Sequence, residues 1–90
     1  MAKTIWKFPL KTPHDYNKVE MPKGAEILTA QIQNRAICLW ATVDPEAPKE
    51  ERTIEINGTG TTIIDPDGQR KYIATVQMGP YVFHVFEYLE

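Results

Sequence analysis

The chain has one cysteine, two histidines, no excess of basic residues and no long apolar run, and each scarcity removes a class of function. Cys38 alone excludes an internal disulfide framework, and with only His14 and His84 for company it does not complete a zinc ligand set. Both facts fit a reducing compartment. The chain carries 10 Lys+Arg against 12 Asp+Glu, a formal net charge of -2, which argues against a binder of duplex nucleic acid because that task needs a basic footprint. No segment approaches the roughly 18 apolar residues of a membrane span, and MAKTIWKFPL lacks the apolar core of a signal peptide. The expectation is a soluble intracellular protein with no metal, no cofactor and no membrane partner. Its 90 residues make one domain spanning 1-90. Burial is limited at this size unless chains associate, so a homo-oligomer is expected.

What is present is a succession of short apolar segments that alternate at period two, punctuated by proline, glycine and charge. Thr4 to Leu10 places Thr4, Trp6, Phe8 and Leu10 on one side, and Pro9 suits an edge or a strand end. Lys11 to Asn17 is polar and turn-rich, with His14 solvated. A short segment at Lys18 to Met21 precedes the turn Pro22-Lys23-Gly24. Glu26 to Gln33 puts Leu28, Ala30 and Ile32 inward, and Asn34-Arg35 reads as a two-residue hairpin turn. Asp44 to Lys49 is a solvated loop, Glu51 to Asn57 a strand with Ile54 and Ile56 inward, and Asp65-Pro66-Asp67-Gly68 a type I turn. Arg70 to Met78 and Tyr81 to Leu89 are the last strands, parted by Gly79-Pro80. The fold class is mainly β: a small single-domain antiparallel sandwich or partly open barrel of about seven short strands.

Ala36 to Val43 differs from its neighbours because both faces are apolar: Ala36, Cys38 and Trp40 on one, Ile37, Leu39, Ala41 and Val43 on the other. Such a strand sits in the middle of a sheet covered on both sides, and in a domain this small the second cover is another subunit or a ligand. The indole of Trp40 either fills a core or stacks on a purine.

The stretch Glu55-Ile56-Asn57-Gly58-Thr59-Gly60-Thr61-Thr62-Ile63 admits two readings. Gly58 and Gly60 around Thr59 turn successive amides toward one point and hold an anion, or they supply positive φ at a hairpin bend. Arg52 and Asn57 lie on the strand that delivers this loop, and an arginine matches phosphate oxygens bidentately. The candidate ligand-binding residues are therefore Trp40, Arg52, Asn57, Gly58, Thr59, Gly60 and Thr61.

Catalysis finds less support. His84 shares a face with Val82, Phe86 and Tyr88 as a hydrogen-bonded core or interface residue, Cys38 behaves as a small hydrophobe, and Asp44, Glu46, Glu50 and Glu51 form a solvated rim. The expectation is a protein that is not an enzyme, with no catalytic residues.

Taken in order, IWKFPL, MPKGAEIL, QIQN, CLWATVDPEAP, GTG, YIATVQ and VFHVFE resemble a family of small phage- and prophage-encoded proteins of unknown function. The resemblance spans nearly the whole chain. Family members commonly carry a histidine after GTG, where this chain has Thr61, and tend to end soon after VFHVFE, where this chain continues with Tyr88-Leu89-Glu90. The resemblance implies an accessory viral protein acting in the host bacterial cytoplasm. By analogy with compact phage proteins that evade defence, it implies a sponge that sequesters a nucleotide second messenger, a cyclic di- or oligonucleotide immune signal, without turning it over. The alternatives are a protein-protein inhibitor or adaptor of a host enzyme, using an exposed patch of Trp40, Tyr81 and Phe83, or a virion assembly protein.

Overall fold

The computed structural model describes residues 2–89. Among them are seven antiparallel strands and no helix: β1 (Thr4–Pro9), β2 (Asp15–Pro22), β3 (Glu26–Gln33), β4 (Ala36–Val43), β5 (Lys49–Gly58), β6 (Arg70–Met78) and β7 (Tyr81–Tyr88). They form two sheets, one of three strands in the order β1-β4-β3 and one of four in the order β2-β5-β7-β6. The edges β3 and β6 run alongside each other without backbone pairing, so the sandwich does not close into a barrel. The β3–β4 hairpin turns on Asn34 (φ 54°) and Arg35 (φ 66°), as the two-residue loop requires.

Alternation decides what goes inside. Ile37, Leu39, Ala41 and Val43 of β4 meet Ile54 and Ile56 of β5, Val85 of β7 and Val76 of β6 in one cluster, with Trp6 and Phe8 of β1 packed against it. Each fully buried aliphatic chain stabilises the fold by about 1.5–3 kcal/mol relative to exposure. The second face of β4, with Ala36, Cys38, Trp40 and Thr42, is the outer surface of the three-stranded sheet. Cys38 is still buried there, flanked in register by Pro9 and Gln31.

Two local expectations are corrected. β2 begins at Asp15, earlier than the short segment at Lys18, because Asp15 to Pro22 all find partners on β5. In β3 a bulge between Ile27 and Thr29 reverses the alternation: Ile27 joins the core side with Ala30 and Ile32, and Leu28 turns outward, 47% exposed. A second bulge, between Tyr72 and Ala74 of β6, lies across the gap from it, and the two hold the sheet edges apart around a cleft of about 340 Å³. The floor of that cleft is an ion pair between Arg52 and Glu87. Arg52 Nε and Nη2 donate to the Glu87 carboxylate, Nη1 donates to Ala25 O at 2.9 Å, and Glu50 lies 3.5 Å away. The bond to Glu87 raises the Arg52 pKa further. Arg52 thus ties the end of the four-stranded sheet to the turn that enters β3.

Arg52→Ala strands the Glu87 carboxylate and is expected to destabilise the fold by about 3 kcal/mol. Replacing both partners, Arg52→Met with Glu87→Leu, should recover most of that loss in urea denaturation; no recovery would show that the pair is not the source of the effect.

Candidate functional site

The two faces of β5 serve different ends. Ile54 and Ile56 enter the core, while Thr53, Glu55 and Asn57 project from the opposite face of the four-stranded sheet. That face would ordinarily be solvated, yet Glu55 is only 3% exposed. The segment 61–69 returns across it, and a buried carboxylate needs a cation. Arg70 supplies one: its Nε donates to Glu55 Oε1 at 2.5 Å and its Nη2 to Oε2 at 3.1 Å. The same guanidinium donates to the carbonyls of Asp65 (2.8 Å) and Gly68 (3.1 Å), which fastens the crossing segment to the sheet. Its carbon lies 5.4 Å from the centre of the Tyr88 ring. Glu55 raises the Arg70 pKa through this bond. Tyr88 completes the clamp by donating its hydroxyl to Asp65 Oδ2 at 2.5 Å.

Gly68 is required by that clamp. A Cβ there would sit 2.5 Å from Asp65 Oδ2 and 2.7 Å from Tyr88 Cε1, closer than such atoms approach. The Asp65–Gly68 turn is closed by Gly68 N donating to Asp65 O at 3.0 Å, as its Pro-Asp-Gly sequence predicts.

Beneath the crossing segment, between β2 and β5, lies a hollow of about 100 Å³. Asp15 and Tyr16 of β2, Glu55 and Asn57 of β5, and Thr61 and Ile64 of the segment contribute to its walls. Asn17 positions the β2 side, since its side chain accepts from the amides of Lys11 and Thr12 and donates to Thr12 O. Asp15 then enters β2 at φ 63°, a conformation that Asp tolerates better than most residues. Tyr16 stands opposite Glu55 in register, with its ring edge-on to Tyr88 at 5.7 Å. Burial, and secondarily the Glu55 charge, raises its phenol pKa. Asn57 Nδ2 is the one buried side-chain polar atom among the described residues with no hydrogen-bond partner. A buried amide left without a partner costs stability.

The glycine loop beside the hollow is a β-turn. Thr61 N donates to Gly58 O at 3.1 Å, and Gly60 at the third position has φ 88°, the signature of a type II turn. Thr59 N donates to Val82 O at 3.1 Å and the Thr61 hydroxyl to Gly58 O at 2.7 Å. The amides of Thr59 and Thr61 are therefore committed inside the protein rather than turned together toward an anion. Thr59 Oγ1 lies 2.7 Å from His84 Nε2, whose Nδ1 lies 3.1 Å from Thr75 Oγ1, so His84 is held among hydroxyls on the outer face.

The chain belongs to the family described as Domain of unknown function (DUF7352), whose model matches residues 1–90. No curated protein and no solved structure matches it.

The structure brings together part of the set that the sequence suggests. Asn57, Gly58 and Thr61 line the hollow. Thr59 turns to His84, and Gly60 is the exposed apex of the turn. Arg52 lies on the core-facing side of β5, with its guanidinium engaged by Glu87, and does not share a face with Asn57. Trp40 lies on the outer face of the other sheet, between Lys7 and Thr29 in register. Asp15, Tyr16 and Glu55, which the sequence does not single out, line the same hollow, and only the β2–β5 register brings them to Asn57. Among the described residues no three His, Cys, Asp or Glu side chains converge as metal ligands.

Gly68→Ala should drive Tyr88 from Asp65 and lower the melting temperature, at a cost of about 1–3 kcal/mol. Gly60→Ala, whose added Cβ meets nothing within 4 Å, should cost only the strain of its φ, about 1–2 kcal/mol. Folding stability should also fall at alkaline pH. The Tyr88 phenol is raised chiefly by its bond to Asp65, and Tyr16 is raised as well. Their contribution is present below the ordinary tyrosine value of about 10 and is lost as pH rises through the folded values. Urea midpoints measured from pH 8 to 11.5 should show this decline, and Tyr88→Phe should make it shallower.

Proposed function

We propose that the protein binds a nucleotide-class ligand in the hollow between β2 and β5 and holds it without turning it over. The observation that carries this reading is the unpartnered Asn57 amide beside a hollow of about 100 Å³ lined by Tyr16 and Ile64. A base laid on the exposed Tyr16 ring, with only one edge at the mouth of the hollow, is held as proteins hold nucleobases by stacking. Glu55 is neutralised by Arg70 while Asp15 adds negative charge at the rim, so the phosphates of such a ligand lie away from Asp15. The family resemblance supports a phage accessory protein that sequesters a nucleotide immune signal in the bacterial cytoplasm. The outer face of the three-stranded sheet, carrying Trp40, serves to join copies of the chain.

Titration calorimetry with nucleoside monophosphates and cyclic dinucleotides is the test. Saturable heat that disappears in Asn57→Leu, with the nucleotide recovered unchanged after heat denaturation, is the expected result. A hydrolysed product would make the protein an enzyme, and no heat with any nucleotide would remove the reading. Light scattering at micromolar concentration should give more than one chain per particle.

A second reading rests on a separate feature. Tyr81, 65% exposed, stacks on Phe83 with ring centroids 6.3 Å apart, beside a cleft of about 410 Å³ shared with Pro80 and Thr59. An exposed tyrosine next to an apolar cleft suits a protein partner such as a host enzyme. Trp40 is not part of that patch, since it lies on the other sheet.

A further inference from the structure

We infer that the free edge of β2 pairs with the same edge of a second copy of the chain, strand against antiparallel strand, in a register centred on Val19. Each sheet ends in two edge strands, and of these β2 alone suits such a contact. β3 and β6 run alongside each other. β1 carries Lys7 but no acid, and Pro9 ends it. β2 is paired from Asp15 to Pro22 with β5 on one side only, and among the described residues no other backbone–backbone bond reaches Asp15 to Met21. Such a row of unpaired N–H and C=O groups is a template for another strand. A cleft of about 620 Å³ runs along it, touched in succession by Tyr16, Asn17, Lys18, Val19 and Glu20. Successive residues of a strand point to opposite faces, so a cleft that meets all of these lies along the edge and over neither face. Pro9 and Leu10 form its wall toward the other sheet.

The charges on β2 select a second copy as the occupant. Glu20 stands directly opposite Glu51, and neither carboxylate has an ion-pair partner among the described residues. Like charges so placed repel. Lys18, on the same face, donates to Thr53 Oγ1 at 3.0 Å and is paired with no acid. A two-fold axis normal to the sheet keeps the outer faces of both copies on one side, and it must then pass beside a residue rather than between two. Centred on Lys18 or on Glu20, the axis sets like charges against each other. Centred on Asn17, it spends Lys18 on a tyrosine and runs into the turn before β2. Centred on Val19, it sets Lys18 against Glu20 of the partner subunit at both ends of the contact, with residues 16–22 in register. Each Glu20 then gains a cation, and the two four-stranded sheets become one continuous sheet. Exposed ion pairs add little affinity, so the charges fix the register while backbone bonds hold the strands together. This contact is separate from the Trp40 face.

The experiment measures particle mass by sedimentation, from micromolar to near-millimolar concentration, for the full chain, for Lys18→Glu, for Glu20→Lys and for an equal mixture of the two variants. Both side chains are exposed, so melting temperatures should stay near that of the parent and confirm folding. Each variant alone sets like charges against each other in the inferred register, and its particle mass should fall to half that of the parent, whether or not copies also meet through the Trp40 face. In the mixture the acids of one variant face the lysines of the other, so the parent mass should return. Single variants that keep the parent mass would overturn the inference, and so would a mixture that stays at half. A parent chain that is monomeric at every concentration would also overturn it and leave the edge of β2 to an extended peptide of another protein. No readout involves a nucleotide, so failure here and failure of the nucleotide reading are distinguishable.

Discussion

A buried carboxylate on the wrong side of a sheet is the constraint around which the outer face of the four-stranded sheet is organised. Glu55 belongs by alternation to the outer face of β5, where water would normally solvate it, and it is covered instead. Covering it is tolerable only because Arg70 meets both its oxygens in a fork. The remaining donors of Arg70 then take the Asp65 and Gly68 carbonyls, so the ion pair also decides where the segment 61–69 crosses the sheet. Tyr88 and the missing side chain of Gly68 lock that path. The hollow is the space left between this strap and β2.

A site built this way is rigid by construction. The strap is tied at Asp65, at Gly68 and at the Gly58–Thr61 turn, and the β2 wall is tied by Asn17. Any ligand placed there would meet walls whose ordering cost was already paid during folding. The unpaired amide of Asn57 costs stability on the scale of an unmade hydrogen bond, about 1–3 kcal/mol.

Much of the fold was legible because its strands are amphipathic or wholly apolar, and turn chemistry marks their ends. The boundaries of β3 and β4 and the Asn34-Arg35 hairpin follow from alternation and a two-residue polar break. Leu28 was misplaced because a bulge adds one residue to the alternation, and no residue type in Ile27-Leu28-Thr29 announces it. The site was legible in part for a similar reason. Asn57, Gly58 and Thr61 are contiguous and carry their own signal, whereas Asp15 and Tyr16 lie about forty residues away in a turn-rich stretch. Their relation to Asn57 exists only in the antiparallel register of β2 on β5.

The case of Arg52 shows how far alternation alone reaches. Arg52 and Asn57 are an odd number of residues apart on one strand, so period two sends them to opposite faces whatever the rest of the fold does. A guanidinium on the side of Ile54 and Ile56 faces the other sheet, where it must find a buried carboxylate, and the one that takes its paired bonds is Glu87, the register neighbour of Ile54. Arg70 follows the same rule on the other face and finds Glu55. Two arginines on opposite faces of one sheet, each matched to a glutamate, thus divide the work: Arg52 joins the sheets at one end of the sandwich, and Arg70 shapes the hollow.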